Sequence, residues 1–199
     1  IDITPDGKVW FARLHSDDIG SIDPATGAIT MIATPFAGPR RLRSDAEGKL
    51  WIGAFPESAI ARYDPKAGTF KRYELPVVPV GSDTPYALNV DKKRSIVWVT
   101  GNQSDTLHAL DVKAGTWRSV PLPRRVAFTR DIEIAEAGTV YTSTSNFPSW
   151  HVEDAQPTMI RVQTTAARCG SSARQSKSSP HRLRERSYRC PAALPERWP

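Results

Sequence analysis

Val9-Trp10-Phe11-Ala12, then Ile19-Gly20-Ser21-Ile22, then Asp23-Pro24-Ala25-Thr26-Gly27: this stretch decides the fold. A short β-branched and aromatic run, a polar loop, a second run and a Gly-ending turn read as successive strands. Asp bonds its own backbone, Pro presets φ at the next position, and Gly supplies the positive φ at the exit. The order then repeats. Trp51 leads to Asp64-Pro65-Lys66-Ala67-Gly68, and Trp98 leads to Asp111-Val112-Lys113-Ala114-Gly115, each Asp thirteen residues past its Trp. The Trp-to-Trp steps are 41 and 47 residues, and Tyr141 adds a step of 43. A period of this length, built of short strands, marks a propeller blade or another stacked repeat.

Each unit fills out in the same way. A turn residue, Gly7, Gly48, Ser95 or Gly138, sits three places before the aromatic. An outer strand follows the Asp turn: Ile29-Thr30-Met31-Ile32, Phe70-Lys71-Arg72-Tyr73, Trp117-Arg118-Ser119-Val120. An inner strand opens the second, third and fourth units at Arg40–Ser44, Tyr86–Val90 and Arg130–Ile134. The prediction is an all-β propeller with four-stranded antiparallel blades and little helix, since no long apolar period of 3.6 residues occurs. Each Trp is expected to fill the space between neighbouring blades.

Three full units and a fourth lacking its outer strand make about three and three-quarter blades. Propellers have about four to eight. The chain opens at Ile1 inside a strand, with no signal-peptide pattern. A section of a six- or seven-bladed ring is therefore expected, open because no strand is available to close it, with the native start upstream.

The text changes after Gln163. Residues 164–199 carry eight Lys or Arg against two acids, whereas 1–163 carry nineteen of each, so the whole net charge of +6 lies in the tail. The tail also holds both cysteines, Cys169 and Cys190, and six serines. Its composition favours a disordered segment or one foreign to the fold over a packed one. The break falls in mid-blade with no linker, so the basic tail is not read as a nucleic-acid arm. Neither a nucleic-acid nor a membrane partner is expected. With no Cys in 1–163, the cysteines do not report the redox compartment, and cytoplasm and periplasm both stay open.

The motifs that define the units, Asp6-Gly7-Lys8-Val9-Trp10-Phe11-Ala12 through Ile29-Thr30 and Gly48-Lys49-Leu50-Trp51-Ile52 through Leu75-Pro76, resemble blades of the streptogramin B lyases (virginiamycin B lyase family). The resemblance covers about residues 1–163. It implies a seven-bladed propeller that linearises cyclic depsipeptide antibiotics by elimination, with Mg²⁺. Elimination needs a base for a proton beside a carbonyl and a donor or cation for the developing enolate charge. That family places a His after a Pro where an inner strand begins; here Arg40 follows Pro39, Tyr86 follows Pro85, and Arg130 follows Thr129. It places a Glu three or four residues past a blade Trp; here Arg13 and Leu14, Ala54 and Phe55, Gly101 and Asn102, Thr144 and Ser145 stand there.

A polar set remains at equivalent inner-strand entries: Arg40, Tyr86 and Arg130. Such entries open onto the central channel, where guanidinium groups suit an anionic or carbonyl-rich small molecule. The competing reading pairs these arginines with Asp131 or Glu133. Repeat 4 also carries an insertion, Asn146 to Asp154. His151 and Glu153 lie two apart, on one side of an extended backbone, and are the candidate acid–base pair or part of a metal site. Asn146 joins the candidate substrate contacts, and Arg130 is the candidate charge stabiliser. His15 and His108 read as structural or exposed. A lyase-like enzyme, a non-catalytic binding or sensing propeller and, third, a gluconolactonase-type hydrolase are the functions in play.

Overall fold

The structure, a computed structural model, describes residues 1–123, 125–145 and 158–163, and the backbone of 184–189. Four sheets of four strands follow the four repeats. Blade 1 comprises β1 (Asp2–Ile3), β2 (Val9–Arg13), β3 (Asp18–Ile22) and β4 (Ile29–Ala33). Blade 2 comprises β5 (Pro39–Ser44), β6 (Leu50–Ala54), β7 (Ala59–Asp64) and β8 (Thr69–Glu74). Blade 3 has β9 (Pro85–Asp91), β10 (Ile96–Gly101), β11 (Thr106–Asp111) and β12 (Thr116–Pro121). Blade 4 has β13 (Ile132–Ile134), β14 (Val140–Ser143), β15 (Thr158–Gln163) and β16 (Arg184–Arg189). Among the described residues the one helical element is a 3-10 turn at Phe55–Glu57.

The Asp turns are built as their chemistry requires. Asp64 Oδ1 accepts from the Lys66 amide at 2.9 Å, and the Asp64 carbonyl accepts from Gly68 N at 2.8 Å with Gly68 at φ 65°. Asp23 and Asp111 make the same bonds in their own turns.

Packing between blades runs through the Trp residues. Trp10 joins Leu42, Leu50 and Tyr63 of blade 2 in one core; Trp51 joins Leu88, Val97 and Leu110 of blade 3; Trp98 joins Ile132, Val140 and Ile160 of blade 4. Each indole therefore faces the following blade, as the repeat predicts. Among the described residues the opposite face of blade 1 has no such cover. Ile3, Val9, Ile22 and Ile29 lie in one cross-strand row on it, with Ile3 59% and Ile29 62% exposed. Among the described residues no strand pairing, hydrogen bond or ion pair joins blade 4 to blade 1.

Blade 4 departs from expectation at its outer position. The predicted gap there is filled by β16, drawn from the tail and running parallel to β15 from Thr158↔Arg184 to Gln163↔Arg189. The antiparallel rule fails for this one pair. Blades 1 to 3 reverse the chain in a tight Asp turn, which forces antiparallel pairing. A parallel pair needs a crossover of a dozen or more residues, and residues 164–183 supply the length.

Candidate functional site

Three inner strands enter at the same end of the blades, the end carrying the second-to-third-strand hairpins. Pro39 pairs with Ala54 and Pro85 with Gly101, the last residues of β6 and β10. A repeated loop device fixes these entries. Asp17, Ser58 and Asp105 each lie seven residues past a Trp, and each adopts a left-handed backbone, at φ 49°, 52° and 49°. Asp17 Oδ1 accepts from Gly38 N at 2.8 Å and Ser58 Oγ from Asp83 N at 3.3 Å. Asp105 accepts from Val126 N and Ala127 N at 2.6 and 2.8 Å. Each side chain thus pins the backbone two to four residues ahead of Arg40, Tyr86 or Arg130. The sequence reading passed over these residues. Their signal was a polar residue at a constant offset from the blade Trp.

Arg40, Tyr86 and Arg130 meet. The Arg40 guanidinium carbon stands 3.8 Å from the Tyr86 ring centroid, and that of Arg130 stands 4.7 Å away. Arg130 Nη1 also donates to the Tyr86 hydroxyl. Phe55 meets Tyr86 edge to face with centroids 5.9 Å apart, and Arg40 lies 5.0 Å over Phe55. The arrangement depends on Gly53 opposite Arg40. A Cβ there would stand 2.8 Å from the Arg40 carbonyl oxygen and 3.2 Å from that of Pro85, so only glycine lets blades 2 and 3 approach this closely at the entry.

The competing reading, in which these arginines pair with a blade acid, is not what the described residues make. Neither Arg40 nor Arg130 has an ion pair among the described residues. Arg41 takes the role instead, reaching from blade 2 to blade 4 to donate to the Arg130 carbonyl at 3.1 Å and to meet Asp131 Oδ2 at 3.5 Å. The cause is a β-bulge. Arg40 opposes Gly53 and Leu42 opposes Ile52, which leaves Arg41 unpaired in the ladder, at φ 48°. Both members of the Arg41–Asp131 pair are a third to a half exposed, so it adds little stability.

His108 is structural, as expected, and His15 is exposed. His108 is buried in blade 3, with Nδ1 3.0 Å from Ser119 Oγ and Nε2 3.3 Å from Asp83 Oδ2. Asp83 has a fully buried carboxylate. It also accepts from Ser104 Oγ, Gln103 N and Thr84 N. Burial pushes the Asp83 carboxyl up, but these hydrogen bonds outweigh it and hold the group below the ordinary carboxylate value. A carboxyl depressed on folding adds stability that is complete above its unfolded value, about 3.9. That stability is lost as pH falls through the folded value. The melting temperature should therefore drop below about pH 4, and Asp83→Asn should make the acid limb shallower while lowering stability at pH 7. Parallel acid limbs in the two proteins would assign the effect to other carboxylates.

Asn146, His151 and Glu153 lie outside the described residues. The residues described at the entry do not fit Mg²⁺. They present guanidinium groups and one carboxylate, Asp131, already facing Arg41. Among the described residues no cluster of three or more His, Cys, Asp or Glu side chains is placed to hold a metal. Nor is any helix among them long and apolar enough to cross a membrane.

No protein-family model matches the chain, and no curated protein matches it in sequence. Solved structures do match in shape. A streptogramin B lyase superposes with a TM-score of 0.66 at 24% identity, over 73% of this chain and 47% of the lyase. A catalytically inactive virginiamycin B lyase from Staphylococcus aureus, with quinupristin, gives 0.64 at 17% identity over 79% and 53%. The hydrazine synthase of Kuenenia stuttgartiensis gives 0.68 at 15% identity over 81% and 44%. The chain spans about half the length of the lyases it matches. The resemblance seen in the blade motifs thus holds in three dimensions, and at these identities it is a likeness of fold: a lyase-like propeller.

Proposed function

We propose that this chain is part of a streptogramin-lyase-like propeller that holds a small molecule where its inner strands enter the axial face. The convergence of Arg40, Tyr86 and Arg130 from three successive blades carries this reading. Binding sites favour such axial positions, where several elements each contribute one side chain. The reaction proposed by likeness is C–O elimination of a cyclic depsipeptide ester. A base takes a C–H proton beside a carbonyl, a C=C bond forms, and the ester oxygen leaves with the C–O electron pair as a carboxylate.

The entry residues alone do not perform that step. Proton abstraction near neutral pH wants a group titrating near 7, and Arg does not deprotonate usefully. The base role falls to His151, with Glu153 two residues on and Arg130 as the charge stabiliser. This chain, which spans about half the length of the lyases it matches, is expected to bind a streptogramin B with little or no turnover, even with Mg²⁺ added. Mass spectrometry of the incubated antibiotic reads ring opening directly. Any residual turnover should vanish in His151→Ala. Robust turnover that survives that change would place the base elsewhere. A non-catalytic binding or sensing propeller is the second reading, favoured by the absence of His at all three entries.

A further inference from the structure

The two guanidinium groups at the entry share one tyrosine ring and have no described counter-charge. Arg40 Nε is buried and has no hydrogen-bond partner. A buried donor left unmade is costly, and each such group in a folded protein calls for an explanation. Two cations against one ring also repel each other unless an anion joins them. Asp131, next to Arg130 in sequence, is turned to Arg41. Three arginines against one aspartate leave the cluster with excess positive charge.

Stacking explains why this charge is directed rather than diffuse. Arg40 lies over Tyr86 at 3.8 Å and over Phe55 at 5.0 Å. A guanidinium that uses its π face for stacking keeps its in-plane N–H groups free at the edge, in a planar fork matching a carboxylate or phosphate. Arg130 is anchored at one N–H by the Tyr86 hydroxyl. Among the described residues its remaining N–H groups have no other partner. The backbone beneath both is pinned by Asp17, which accepts from Gly38 N, and by Asp105, which accepts from Val126 N and Ala127 N. Little side-chain or loop ordering remains to be done on binding.

We propose that Arg40 and Arg130, held apart and oriented by Tyr86, form an oxyanion-binding clamp that takes the carboxylate or phosphate group of a small ligand. This deepens the axial-site reading and rests on it, but not on the elimination chemistry. Where elimination operates, the same clamp suits the carboxylate that the broken ester releases.

The test is isothermal titration of the full chain with sodium benzoate and, separately, sodium phosphate, each against a sodium chloride control of equal ionic strength. Binding of one or both above the control is expected, and the stronger arm identifies the group recognised. Arg40→Gln and Arg130→Gln should each weaken binding by about tenfold or more. Arg40→Lys keeps the charge but loses the fork, and should recover only part of the affinity. Tyr86→Phe should weaken binding more mildly by releasing Arg130. Circular dichroism of each variant checks that it is folded. No binding above the control overturns the proposal, as does equal affinity in a folded Arg40→Gln or Arg130→Gln protein. Oxyanion binding without antibiotic turnover would leave the clamp standing and count against the lyase reading alone. Turnover without oxyanion binding would do the reverse.

Discussion

Trp51→Ala is expected to destabilise the protein by about 3–5 kcal/mol, the range for truncating a large buried aromatic. Trp51 is fully buried. Its ring lies 5.3 Å from that of Tyr73, and Arg62 stands over it at 5.7 Å. Its Nε1 donates to Asp45 Oδ2 at 3.1 Å. Removing the indole empties the joint between blades 2 and 3 and strips Asp45 of a partner. No neighbouring strand can collapse into the space, because each is fixed in its own four-stranded ladder. Urea unfolding should show a lower midpoint. A loss under about 1 kcal/mol would mean that the blade joint does not depend on its Trp.

Gly101→Ala is the second large effect. A Cβ at Gly101 would lie 2.0 Å from Asp83 Oδ2, 2.6 Å from Ser104 Oγ and 2.8 Å from His108 Nε2. A flexible surface carboxylate would step aside. Asp83 is buried and held by His108, Ser104, Gln103 and Thr84, so moving it breaks several bonds at once. A loss of about 3 kcal/mol is expected, from overpacking plus buried polar atoms left unsatisfied. Differential scanning calorimetry would record it as a lower melting temperature. An unchanged value would show that the Asp83 cluster is not tied to the stability of blade 3.

The blades were legible because two local signals agree at a fixed distance. A Trp needs a neighbouring blade, and an Asp with a Gly four places on needs a tight reversal; a spacing of thirteen residues fits one strand, one hairpin and one more strand. The entries were legible for the same reason, since equivalent places in successive repeats land at equivalent places in space. Which arginine meets Asp131 was not legible. A bulge shifts a strand by one residue and turns alternate side chains to the other face. Nothing in Pro39-Arg40-Arg41-Leu42 marks Arg41 as the left-handed residue. The bonds from Asp17, Ser58 and Asp105 stayed hidden because each joins segments about twenty or more residues apart.

The parallel outer strand of blade 4 bears on the order in which the chain acquires its shape. In blades 1 to 3 every strand pairs with its immediate predecessor, so each blade can zip up from hairpins as soon as its own residues exist. In blade 4, β15 finishes at Gln163 and its partner does not begin until Arg184. In blade 2 only the four residues 65–68 separate β7 from β8. Closing the longer connection costs on the order of 1–1.5 kcal/mol more, by the logarithmic dependence on loop length. Until β16 arrives, β15 is an open edge whose N–H and C=O groups are a template for any extended segment. During synthesis, then, the first three blades mature on the ribosome's timetable, and the fourth waits on sequence of a different composition.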